Sequence, residues 1–222
     1  MHRTRSISAL VGTLALLSGA LTAPHVATAG GLVGTGSVGL CDFTGKQKLK
    51  PPFLIGGTST PVTTKLTGKL GAKTKLKVAC SGGSGDGAHV IGGTLKAVNT
   101  SAAPNDCLGL VSVGLPSFTV VIKWKVAKGT PKLAPTTWNV AATPPANVNL
   151  SGPNGAIQFT LTGTGAATDV KGKPQSFAGS TMVGIGTTDE TLTDFVTACT
   201  PPASGMKAFN FTGVNGPSTF QM

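Results

Sequence analysis

Between residues 118 and 126 the chain reads FTVVIKWKV, in which Phe118, Val120, Ile122, Trp124 and Val126 alternate with Thr119, Val121, Lys123 and Lys125. A period of two identifies a strand, because successive side chains leave a pleated backbone on opposite faces. A helix would scatter the same lysines around its circumference. KTKLKVAC at 73–80 obeys the same rule: Lys73, Lys75 and Lys77 share one face, and Thr74, Leu76, Val78 and Cys80 the other. AIQFTLTG at 156–163 gathers Ile157, Phe159 and Leu161, and KAFNFTG at 207–213 pairs Phe209 with Phe211. Further strands are expected near 37–43, 61–70, 88–98, 107–113, 136–141, 146–151 and 178–186. The expected fold is mainly β: an antiparallel β-sandwich or barrel-like domain of half-buried strands, with Trp124 at the centre of its core.

Turn chemistry supports this reading. The chain holds 32 glycines and 15 prolines, concentrated in GGSGDG (82–87), KGTPKLAP (128–135), ATPPAN (142–147) and SGPNG (151–155). Each is too short to be a domain linker. A single β-rich domain over 30–222 is therefore expected, with two small β domains split near 100–106 as the alternative.

One segment changes period. In TTDETLTDFVTACTPP, Leu192, Phe195, Val196 and Cys199 recur at helical spacing. Thr188 can cap such a helix, with Asp189 and Glu190 in its first turn. Pro201 and Pro202 would end it. A short helix near 189–199 is expected, with Cys199 facing inward.

The N-terminus carries Arg3 and Arg5, then an apolar run from about Ile7 to Ala23, then Ala27-Thr28-Ala29. This is the anatomy of a signal peptide over 1–29, with export of 30–222. No integral membrane segment is expected after cleavage, since the apolar run is short for a spanning helix and has no long successor. Cys41, Cys80, Cys107 and Cys199 all follow the leader, as suits two disulfides in an oxidising compartment. Their spacing lacks the close pairs of a zinc site, and no metal or cofactor is expected.

The order of CDFTGKQKLKPPFLIGGT, a cysteine, NDCLGL, VVIKWKV, SFAGST and a Thr/Ala-rich segment ending in a fourth cysteine resembles a group of exported four-cysteine actinobacterial proteins of unknown function. The resemblance spans about Val38 to Thr212. It rests on Cys41, Pro51, Pro52, Gly56, Gly57, Cys80, Cys107, Leu108, Trp124, Gly179 and Cys199. It implies a mainly β extracellular module and no particular activity. Four cysteines allow three pairings. Cys41–Cys80 with Cys107–Cys199 is favoured, clipping the N-terminal strand to a neighbour and tying the second half to the helix. Cys80–Cys107 with Cys41–Cys199 stays open.

Once the two arginines leave with the leader, every cation is a lysine, and 16 lysines face 7 carboxylates for a net charge of about +9. Lys73, Lys75 and Lys77, with Lys46, Lys48 and Lys50 in KQKLK, form a candidate face for anionic cell-envelope polymers. A lysine face also keeps a sheet soluble and its edges unpaired. Specific nucleic-acid reading is not expected without arginine and with few aromatics. Catalytic residues are scarce. His89 is the one histidine after the leader, and GGSGDG lacks the final glycine of a nucleophile elbow. The expectation is a secreted, non-enzymatic binding or structural protein. The alternative is a glycan or peptide hydrolase using His89 or two of the seven acids.

Overall fold

The computed structural model describes residues 27–28, 31–56, 61–71, 80–101, 106–107, 109 and 115–222. Three short strands lead: β1 (Ala27–Thr28), β2 (Gly31–Leu32) and β3 (Gly36–Ser37). Then come β4 (Cys41–Phe53), β5 (Val62–Leu70), β6 (Ser84–Gly85), β7 (Val90–Ser101), β8 (Phe118–Val126), β9 (Thr136–Val140), β10 (Val148–Asn149), β11 (Ala156–Gly165) and β12 (Thr181–Thr191). Helix α1 (Leu192–Cys199), β13 (Met206–Phe211) and β14 (Ser218–Gln221) complete the order.

The main sheet closes on itself. Its neighbours run β11-β12-β14-β4-β5-β7-β8-β9, and β9 returns to β11 through Gly163↔Val140 and Gly165↔Trp138. The result is an eight-stranded antiparallel barrel. An eight-stranded barrel has an interior just wide enough to be filled by side chains or by one small ligand. β4 is long enough to serve two partners on one edge: β14 at Cys41–Phe43 and β13 along Gly45–Phe53. The ring draws on strands from both sides of residues 100–106.

Alternation explains the wall. On β5, Val62, Leu66 and Leu70 turn inward while Lys65, Thr67 and Lys69 are exposed. β8 behaves as its sequence reads, with Val120 and Ile122 wholly buried and Lys123 and Lys125 outside. Gly45 and Gly68 face each other across β4 and β5. The Phe43 ring lies over them, so a Cβ on Gly68 would come within 2.2 Å of it. An aromatic covering a cross-strand glycine pair restores the contact that two missing side chains forfeit.

Two apolar cores form, one toward each end of the barrel. The first gathers Val38, Cys41, Leu70, Val90, Phe177 and Phe220 where β4 starts and β5 ends. The second gathers Leu49, Val62, Phe159, Phe195, Cys199 and Phe209 where β4 ends and β5 starts. Each holds a disulfide. Cys41 bonds Cys80, with Cα atoms 4.1 Å apart, and Cys107 bonds Cys199, 6.3 Å apart. The favoured pairing is the one formed.

Several sequence expectations are corrected. The buried tryptophan is Trp138, 3 % exposed, on β9. Trp124 is half-buried nearer the barrel's end, its indole nitrogen donating to the Thr136 hydroxyl at 2.7 Å. The helix starts later than its acidic lead-in suggests. Thr191 is the cap: its hydroxyl accepts from the Asp194 amide at 3.2 Å, and the Asp194 carboxylate accepts from the Thr191 amide at 2.9 Å. This reciprocal box outcompetes Thr188, which stays in β12 and donates its hydroxyl to the Ile157 carbonyl at 3.0 Å. Asp189 and Glu190 remain in β12 and accept from the backbone amides of Thr212 and Asn210. Val196 is 48 % exposed, so Phe195 and Cys199 carry the helix's packing. His89 ends a 3₁₀ turn just before β7, outside any strand. The strand expected over 107–113 lies mostly outside the described residues, and Cys107 and Gly109 within it are helical.

Candidate functional site

Between the two cores lies a cavity of about 350 Å³. Phe43, Leu66 and Leu161 touch both cores and form its waist. Leu95, Val120, Trp138 and Phe220 line one end. The other end lies where β4 and β7 finish and β8 begins. There Gln47, Thr64, Asn99 and Asp106 join Phe53 and Leu115. Asp106 and Cys107 are held over this end by backbone pairing to Leu54, and Leu115 by pairing to Thr143.

Of the four polar strand residues in the lining, Gln47, Thr64 and Asn99 share one inward patch, and Thr219 lies apart on β14. Thr64 stands directly opposite Asn99, and Leu49 opposite Thr64; Gln47 stands opposite Leu66. Gln47 and Thr64 are therefore diagonal neighbours, about 7–8 Å apart between backbones and closer at their tips. The Thr64 hydroxyl donates to the Asn99 carbonyl at 3.5 Å. Among the described residues, the side-chain amides of Gln47 and Asn99 make no hydrogen bond. Asp106 is the one charged residue in the described lining, which contains no histidine, cysteine, serine, lysine or arginine.

The outer wall has the opposite character. Lys46, Lys48 and Lys50 of the expected anion face are exposed on β4. Lys73, Lys75 and Lys77 lie outside the described residues. The lysine face is wider than sequence reading found, because Lys65 and Lys69 on β5, Lys96 on β7, and Lys123 and Lys125 on β8 are also exposed. These four adjacent strands carry a single carboxylate, Asp42, which is buried. Lys48 stands directly opposite Lys65.

The remaining acids are structural acceptors. Asp86 receives the Thr35 amide at 2.8 Å, pinning the GGSGDG turn against the strand before it. Asp169 receives the backbone amides of Lys173 and Lys171 at 2.9 and 2.8 Å; these bonds, the Lys173 one foremost, hold its carboxyl below the usual range. Asp194 is lowered by the Thr191 amide and then by the Thr191 hydroxyl. Among the described residues no three His, Cys, Asp or Glu side chains gather into a metal site, and no helix is long and apolar enough to cross a membrane.

No known protein-family model, curated protein or solved structure matches this chain. The site is therefore read from its own chemistry. Sequence reading missed the cavity residues, yet a signal existed. Gln47, Thr64 and Asn99 fall in phase with inward Leu49, Leu66 and Ala97, so each is a polar residue on an apolar face.

Proposed function

We propose that this chain is an exported, non-enzymatic binding protein that holds an apolar small molecule inside its barrel. The cavity carries the reading. Its size falls in the range of small-molecule sites, its walls are apolar, and a few convergent polar groups sit at one end. At about 24 cal/mol per Å³, an empty void of this volume forfeits roughly 8 kcal/mol relative to a packed interior. That is comparable to a whole domain's net stability. The two disulfides offset much of it. Their separations of 39 and 92 residues correspond to about 4 and 5 kcal/mol of chain entropy removed from the unfolded state.

The leader-like N-terminus, the cross-links and the resemblance to exported four-cysteine proteins support export. The hydrolase alternative needs converging acids, whereas Asp86, Asp169, Asp189, Glu190 and Asp194 serve as hydrogen-bond acceptors within the fold. The test is a titration of the oxidised protein with N-phenyl-1-naphthylamine, read by its fluorescence. Saturable one-to-one binding that Ala97→Trp abolishes is expected. Absence of saturable binding, or equal binding to the variant, refutes the proposal.

A second reading attaches to the outer wall. A like-charged pair directly across two strands is unfavourable, yet Lys48 and Lys65 hold that arrangement within a face of eight exposed lysines. Such a face suits a linear anionic envelope polymer. The convex wall would touch a flat membrane only along a line, whereas a flexible polymer can follow its curve. Retention on a polyanion column at low ionic strength, abolished by moderate salt and by Lys48→Glu/Lys65→Glu, is expected. Retention indifferent to either removes this reading.

A further inference from the structure

We infer that the cavity's ligand is an uncharged amphiphile, its apolar body against Trp138 and Phe220 and a hydroxyl or amide head among Gln47, Thr64 and Asn99. The inference rests on the reading of the cavity as a ligand site, and adds its orientation and chemical class. The first support is the asymmetry of the lining. Leu95, Val120, Trp138 and Phe220 offer hydrocarbon and aromatic surface at one end, where the polar group is the indole N–H of Trp138, buried and without a partner among the described residues. Gln47, Thr64 and Asn99 cluster at the other, while Thr219 stands apart from them on β14.

The second support is unmet hydrogen bonding. Gln47 and Asn99 are half-buried, line the cavity, and find no side-chain partner among the described residues. Both amides keep some exposure to solvent, so a ligand that displaces water from them loses affinity unless its head replaces those hydrogen bonds. Two amides bring four N–H donors and two carbonyl acceptors, and the Thr64 hydroxyl adds one of each. A hydroxyl or amide head can donate to and accept from this cluster at once.

The third support is charge. A carboxylate or phosphate head inserted here would meet no cation in the described lining and would face the Asp106 carboxylate. A buried charge without a partner is expensive. The lysines do not help such a head, because they project from the opposite side of the wall. An ammonium head finds Asp106 already partnered within the protein. An uncharged head remains. At about 30 Å³ for a water-sized group, 350 Å³ accommodates about a dozen carbon-sized units, the bulk of a medium-length chain alcohol.

The experiment displaces N-phenyl-1-naphthylamine from the oxidised full chain with decan-1-ol, decanoate and decylammonium, in wild type and in Gln47→Leu/Asn99→Leu. Decan-1-ol should bind at least about tenfold tighter than either charged analogue. The double variant should lose about tenfold affinity for decan-1-ol relative to its own affinity for the naphthylamine, and its circular-dichroism spectrum and cooperative thermal unfolding report that it has folded. If the naphthylamine itself shows no saturable binding, the cavity reading fails and this inference with it. If it binds, yet a charged analogue equals or exceeds the alcohol, or the double variant binds the alcohol as wild type does, the amphiphile inference alone is overturned.

Discussion

Ala97→Leu puts the void itself to the test. Ala97 is 6 % exposed, lies on β7 opposite Leu66, and lines the cavity. Leucine adds three carbons, about 90 Å³ at the volume of water-sized groups, or about a quarter of the space present. At about 24 cal/mol per Å³ of void removed, the gain is about 2 kcal/mol. Ordering the new side chain returns about 0.5–1 kcal/mol of that. The variant should therefore be more stable by about 1–1.5 kcal/mol, a rise in Tm of about 3–6 °C for a chain of this length. Thermal unfolding of the oxidised, ligand-free protein reads it. The same substitution should weaken binding of a ten-carbon alcohol, so stability and affinity move in opposite directions. In a packed interior the added carbons would instead cost about 1–3 kcal/mol. A destabilised Ala97→Leu variant would show that the space is already filled, and the case for a ligand would collapse.

Four other perturbations address the frame around the site. Replacing Cys107 and Cys199 together by serine should cost about 4–5 kcal/mol in guanidinium unfolding, slightly more than replacing Cys41 and Cys80, because the first pair closes the longer loop; equal or reversed losses would contradict the loop-entropy account. Thr191→Ala should cost about 1 kcal/mol by removing the helix cap. The Asp194 carboxyl sits below its ordinary value of 3.8 in the folded state, so its contribution is complete above 3.8 and is lost as pH falls through the lowered value; helix amide protection factors, corrected for the intrinsic exchange rate, that stay constant as pH falls well below 3.8 would contradict it. Lys65→Glu should stabilise the barrel by roughly 0.5 kcal/mol at low salt by placing opposite charges across from Lys48, and should weaken retention on a polyanion; a loss of stability would show that the like-charged pair is not a cost.

The wall of the barrel was largely legible and its contents were not. FTVVIKWKV announced β8 because alternation is local and survives in any antiparallel context. The start of α1 was misplaced because Thr188, Asp189 and Glu190 make as plausible a helix lead-in as Thr191 and Asp194 do. Only the pairing of Ala156 with Thr191 shows that β12 keeps the earlier residues. Trp124 and Trp138 both face inward, and a period of two says nothing about depth along a barrel. Closure itself depends on the contact of β9 with β11, which no local pattern encodes. Hence sandwich and barrel remained equally compatible with the sequence. The cavity was invisible for a related reason, since an inward Leu95 or Phe220 looks the same in sequence whether it meets another side chain or a void.

β14 lies between β12 and β4, and the ring is continuous there only through residues 218–221. Every other stave of the cask precedes it in the chain. A polypeptide emerging from its N-terminus thus carries an unsealed wall until this segment has appeared, with Cys41–Phe43 of β4 and Val183–Ile185 of β12 still without their partner strand β14. On the proposed reading, the barrel can enclose a ligand only once residues 218–221 have joined the ring.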